Sequence, residues 1–117
     1  MVDKKALKKQ YKQTLPVMGV YIIKNNINGK IFLGSSLNLK GKENSFRFQL
    51  KSGTHMNSQL QNDYNIYGDS SFIFEIIDTL EPKDDPFYNY KDDLKVFEEM
   101  WIEKLSPFDE KGYNKRK

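Results

Sequence analysis

Glu98 is the residue whose type and position could do chemistry. Between residues 92 and 105 apolar side chains recur at Leu94, Phe97, Trp101 and Leu105, the spacing of a buried helical stripe. At about 100° per residue, Glu98 falls within about 40° of Leu94, inside that stripe. Asp92, Glu99 and Glu103 point the other way, toward water. A carboxylate at the edge of an apolar face needs a hydrogen-bond donor, a cation or a metal ion, unless its head simply reaches solvent. Three other residues could share such a site. His55, the only histidine, stands in Ser52-Gly53-Thr54-His55 just before a helix. A capping or surface role is the common one there and catalysis the alternative. Tyr21 ends the run Gly19-Val20-Tyr21, and a second strand-like run, Phe32-Leu33-Gly34, leads into Ser35-Ser36. A tyrosine and an aromatic at matching places on paired strands can present polar edges to one surface, although Phe32 has no hydroxyl to present. Asn114 closes Gly112-Tyr113-Asn114, which taken alone reads as an ordinary turn.

These residues need elements to position them. Residues 3–13 read as a short basic helix closed off before Pro16. Residues 17–24 are rich in β-branched side chains and form a strand, with residues 30–35 as its partner. Asn28-Gly29 is expected to supply the positive φ angles of a tight hairpin turn. A helix over residues 42–51 carries Phe46 and Leu50 on one face and stops at Gly53. A second helix over residues 57–67 turns Leu60, Tyr64 and Tyr67 inward and ends at Gly68. In residues 71–79, Phe72, Phe74 and Ile76 alternate with Ile73, Glu75 and Ile77, so both faces are largely apolar and the strand is expected to be central. A connection rich in proline and aspartate over residues 81–90 precedes the last helix, residues 92–105. The order strand, strand, helix, helix, strand, helix predicts an α/β sandwich around a three-stranded sheet.

Composition limits the alternatives. The chain has 117 residues, enough for one modest core. Only 38% of residues are hydrophobic, which its fifteen Phe and Tyr residues plus Trp101 partly offset. Cysteine is absent, which excludes disulfides and thiolate zinc sites and suits a reducing cytosol. No stretch is long and apolar enough to span a membrane, and the N-terminus lacks the apolar core of a signal peptide, so a soluble cytoplasmic protein is expected. The formal charge of +3 is mild. Lysines crowd the first segment, and Lys111, Lys115, Arg116 and Lys117 end the chain, so basic ends could touch phosphate; solvated lysines are the plainer explanation.

Taken together, the residues resemble the GIY-YIG endonuclease family. Gly19-Val20-Tyr21 matches its first motif, and Phe32-Leu33-Gly34 with Ser35-Ser36-Leu37-Asn38-Leu39 matches its second. Gly53-Thr54-His55, Leu60-Gln61, Tyr67-Gly68, residues 72–76, Glu98 before Trp101-Ile102, Leu105-Ser106-Pro107 and Gly112-Tyr113-Asn114 follow in the family's order. The resemblance covers residues 18–115 and implies a GIY-YIG-like fold: a three-stranded antiparallel sheet flanked by helices, here a domain over residues 17–117 with an extra N-terminal helix within residues 1–16. It implies hydrolysis of a DNA phosphodiester with a divalent metal, Mg or Mn, held by Glu98. Tyr21 becomes the tyrosine beside the attacking water, His55 a histidine seen in some members, and Asn114 the C-terminal asparagine. Lys42 falls where an arginine that stabilises phosphate charge is expected, and Arg47, Lys115 and Arg116 are further DNA-binding candidates. Members commonly carry a separate DNA-targeting domain, for which this length leaves no room, so targeting would fall to the basic ends or to a protein partner.

The match departs from the pattern at three positions. Phe32 stands for the second-motif tyrosine, Lys42 for the arginine, and Phe46 for a helix histidine. Lysine keeps the charge but loses the planar fork that grips two phosphate oxygens; Phe46 cannot move a proton. The leading expectation is therefore an endonuclease with a modified site and reduced activity. The alternative is an inactive module of the same fold that binds DNA or protein. A plain structural domain, in which Tyr21 and Glu98 satisfy each other in the core, is the third.

Overall fold

β-branched and aromatic side chains make Met18–Asn25 the strand on which everything else is built. The computed structural model describes residues 15–116; the helix expected over residues 3–13 lies outside them. This first strand, β1, pairs antiparallel with β2, Ile31–Ser36. It pairs antiparallel on its other side with β3, Phe72–Leu80. The strand order is β2-β1-β3. Helix α1 is Leu39–Ser52, α2 is Ser58–Tyr67 and α3 is Lys91–Leu105. Asn38 caps α1 by accepting from the backbone N–H of Gly41, and Asn57 caps α2 by accepting from that of Leu60. The Asn38 cap starts α1 three residues earlier than expected.

The central strand is β1, not β3. β1 is buried nearly throughout, whereas β3 lies at an edge with Ile76 half exposed. The two apolar faces of β3 arise because helices cover both sides of the sheet, which periodicity alone cannot tell from a central place. On one face Tyr21 and Ile23 pack with Leu39, Phe46 and Leu50 of α1, Leu60 of α2, Phe72 and Tyr113. On the other, Val20, Ile22 and Leu33 meet Phe97, Trp101, Ile102 and Leu105 of α3. The hairpin also differs from expectation. Only Gly29 has a positive φ, at 77°, and the loop closes through Gly29 N–H to the Asn25 carbonyl. Asn28 keeps negative φ and uses its side chain to accept from Lys30 N–H. In α2, Tyr67 is exposed and Gln61 is buried in its stead.

The C-terminal segment closes the sheet on the β2 side. Gly112 forms a parallel bridge to Ile31, and Tyr113 N–H donates to the Ile31 carbonyl. Tyr113 is buried and donates its hydroxyl to Asp63 at 2.6 Å while accepting from Asn25 Nδ2 at 3.1 Å. Burial, with the bond to Asp63, pushes its pKa up to about 12. One hydroxyl thus joins β1, α2 and the C-terminal strap. Tyr113→Phe leaves the buried Asn25 amide without that acceptor and is expected to cost about 1–3 kcal/mol. Urea unfolding measures this, and a loss below about 0.5 kcal/mol would show that the network does not hold the strap.

Candidate active site

A missing side chain creates the site. Tyr21 faces Gly34 across the β1–β2 pair, and any Cβ at position 34 would stand 2.6 Å from the Cζ of the Tyr21 ring. Glycine lets the ring lean across β2 with its hydroxyl over the edge strand. The ring is held from behind by Phe74, stacked at 4.9 Å, and Phe74 is stacked in turn on Phe46 at 5.4 Å. Phe46 therefore builds the core under Tyr21, on the buried face of α1, and does not fill a groove.

Glu98 approaches from the opposite face of the sheet. Its helix packs on the Val20, Ile22 and Leu33 side, and the Ser35 hydroxyl, two residues along β2 from Leu33, donates to Glu98 Oε2 at 3.3 Å. Its charge reaches Tyr21: burial first, then Glu98, pushes the phenol well above its ordinary range. Tyr21 is thus a neutral hydroxyl at physiological pH. In the sequence Ser35 stands only within the second motif, with no role assigned; its alternation with Leu33 sets it on the α3 face.

His55 lies beside Phe32, edge to face at 5.7 Å. Burial, followed by the nearby positive charge of Lys42, lowers its pKa below the usual 6.5. Its Nδ1 accepts from the backbone N–H of Asn57, so neutral His55 carries its proton on Nε2 and acts as a donor. Gln61 holds the same turn by accepting from His55 N–H at 3.1 Å. Asn57, beyond capping α2, donates to the Tyr113 carbonyl at 2.7 Å and so ties the histidine turn to the strap. Neither buried amide is expected at a site from sequence: Asn57 marks only the start of a helix, and Gln61 enters only through the Leu60-Gln61 match.

The remaining candidates divide. Asn114 gives both ends of its amide to the backbone of Leu33, accepting from its N–H at 2.8 Å and donating to its carbonyl at 2.9 Å. Its side chain extends the ladder along the outer edge of β2. Lys115, on the strap, is exposed and lines hollows on both sides of it. Arg116 pairs with Asp109 at 3.1 Å and lies over Phe108. Arg47 pairs with Asp69 at 3.5 Å, in the turn before β3, and lies over the Phe46 ring. Tyr21, Ser35 and Glu98 thus form one group and Lys42, His55 and Phe32 another, both at the β2 edge.

Among the described residues no three His, Asp or Glu side chains converge in a way that would hold a metal by themselves. The single carboxylate of Glu98 fits an ion such as magnesium, which keeps water and takes further oxygens from phosphate. The His55 shift has a direct consequence for stability. The folded state binds fewer protons than the unfolded chain between the lowered pKa and 6.5. The contribution of His55 is thus fully present above that window and is lost as pH falls through the folded value. The drop in Tm between about pH 7.5 and about pH 5 is expected to be smaller in His55→Gln than in the parent. Equal drops would show that the imidazole titrates as it does in the unfolded chain.

No family model matches the sequence, and no curated protein matches it either. Two solved structures do. One is the catalytic domain of the homing endonuclease I-TevI, 28% identical, covering 86% of this chain and 99% of that one with a TM-score of 0.70. The other is a mutant form of the catalytic domain of the intron endonuclease I-TevI, 26% identical, covering 84% of this chain and 92% of that one with a TM-score of 0.69. The chain has the fold of that domain, a GIY-YIG fold.

Proposed function

We propose that this chain is a metal-dependent DNA endonuclease that hydrolyses phosphodiester bonds through a modified GIY-YIG site. The likeness to a homing endonuclease catalytic domain supports a nuclease in general. The observation that carries the reading is that Glu98, anchored by Ser35 on one side of β2, lies within electrostatic reach of Tyr21, whose ring crosses β2 at Gly34 from the other side. A hydrophobic core alone gives no reason to set a carboxylate there.

A bound divalent ion at Glu98 would supply positive charge to the scissile phosphate. The chain's own groups do the rest. Neutral Tyr21 orients the attacking water by accepting its hydrogen bond; with its pKa raised, the phenolate is too scarce to serve as a free base. His55 donates from Nε2 to a phosphate oxygen or to the leaving oxygen. Lys42 adds charge beside it. Ser35 fixes the Glu98 head. Phe32 supplies an apolar wall where a second hydroxyl would otherwise assist, which is the reason to expect reduced turnover. Lys115 is the cation best placed to meet the backbone of the substrate strand, since it lines both hollows at the edge.

Nicking of supercoiled plasmid with magnesium or manganese tests the reading. Glu98→Ala is expected to lose at least ~10²-fold in rate, the scale of removing one electrostatic stabiliser. Equal, undetectable activity in parent and variant would leave a binding module of the same fold. Lys42→Arg restores the planar fork and is expected to raise the rate several-fold. An unchanged or lower rate would remove Lys42 from the phosphate clamp.

A further inference from the structure

The strap that closes β2 separates two hollows, and Asn114 and Lys115 line both. The larger, about 480 Å³, lies on the Glu98 side between α3 and the strap. Its floor is apolar, from Ile102 and Phe108, and its walls carry Glu98, Glu99 and Glu103 against Lys95 and Lys115. The smaller, about 360 Å³, is lined by Phe32, Met56 and Asn57. Met56 is 86% exposed there, an apolar side chain left open beside His55. Both volumes fall in the range of about 300–1,000 Å³ typical of small-molecule sites.

The charge pattern says what each hollow can take. Glu99 and Glu103 stand against Lys95 and Lys115, and Glu98 is the group that would hold the divalent ion, so Lys115 on the strap is the lysine left to meet a phosphate at the divide. The same carboxylates are acceptors for the amino groups on base edges, as in carboxylate recognition of the cytosine N4 amine. Ile102 and Phe108 line the hollow with apolar surface against which a flat base can pack, and Arg116 already covers one face of the Phe108 ring. We infer that the α3–strap cleft is a subsite for one unpaired, amino-bearing nucleobase of the substrate strand, whose phosphate crosses the strap at Lys115 while the next nucleotide lies against Phe32 and Met56.

This inference rests on the nuclease reading for its substrate strand and adds the form of that strand. A base cannot enter the cleft while paired and stacked, so the protein selects single-stranded, bulged or junction DNA over continuous duplex. It also sets a base preference. Cytosine, adenine and guanine carry an amino group that the Glu99 and Glu103 carboxylates can accept from, and thymine does not.

Fluorescence anisotropy with calcium in place of magnesium separates binding from cleavage. The probes are a perfect duplex, the same duplex with one bulged cytosine, and the same with one bulged thymine. The cytosine bulge is expected to bind at least ten-fold tighter than the duplex and several-fold tighter than the thymine bulge. Glu99→Gln with Glu103→Gln, at two exposed positions, removes charge and raises affinity for every probe, so the readout is the cytosine-to-thymine ratio, which is expected to fall toward one. Duplex binding equal to the bulge overturns the subsite, and so does a ratio unmoved by the double variant. The two readings fail separately. A bulge advantage without cleavage in magnesium or manganese sinks the nuclease and keeps the cleft, whereas duplex cleavage without a bulge advantage does the reverse.

Discussion

The site depends on the pairing of Tyr21 with Gly34. A glycine opposite a tyrosine in a two-strand ladder leaves a gap one side chain wide, and the phenol occupies it. β2 is an edge strand, and among the described residues the strap is what pairs along its outer side. A hydroxyl from the α1 face and a carboxylate from the α3 face can therefore sense one another past a single strand. Any side chain at position 34 would push the ring back toward Phe74 and separate the two. The stack of Tyr21, Phe74 and Phe46 makes that gap specific, since it leaves the ring no other place to go.

An edge strand carrying such a site needs protection from pairing with another chain. Residues 112–114 supply it. Gly112 and Tyr113 pair with Ile31 through backbone, and the Asn114 amide replaces the next peptide by bonding both polar groups of Leu33. Main-chain pairing then stops, and Ser35 stands just beyond it with its hydroxyl on Glu98. The same strap is tied to the histidine turn through Asn57 and to α2 through the Tyr113 hydroxyl. One short segment thus sets the separation of the two groups that make up the site.

Electrostatics sharpen the chemistry. Burial raises the pKa of Tyr21 and lowers that of His55, so both are neutral near pH 7. The charge at the edge is carried by Glu98 on one side and Lys42 on the other. Two neutral groups, Tyr21 as acceptor and His55 as donor, between an anion and a cation can orient water and phosphate without a proton having moved beforehand. For the proposed hydrolysis, that arrangement favours positioning over acid–base exchange as the protein's contribution.

Much of this was legible in the chain. The periodicity of residues 92–105 placed Glu98 at the edge of an apolar stripe, and alternation with glycine punctuation located every described strand and helix to within a few residues. Sequence also determined which side chains are available: one histidine, no cysteine, phenylalanine at positions 32 and 46, and lysine at 42. It could not rank the strands, because β3 has two apolar faces for the same reason a central strand does. Nor could it show that Asn114 bonds to backbone, that Asn57 assigns the His55 tautomer, or that Ser35 meets Glu98. Those facts join residues 63 to 81 positions apart or turn on a single bond direction, and local pattern carries no information about either. The types of the reactive groups were thus written in the sequence. Their meeting was decided only when two sheet faces closed around one glycine.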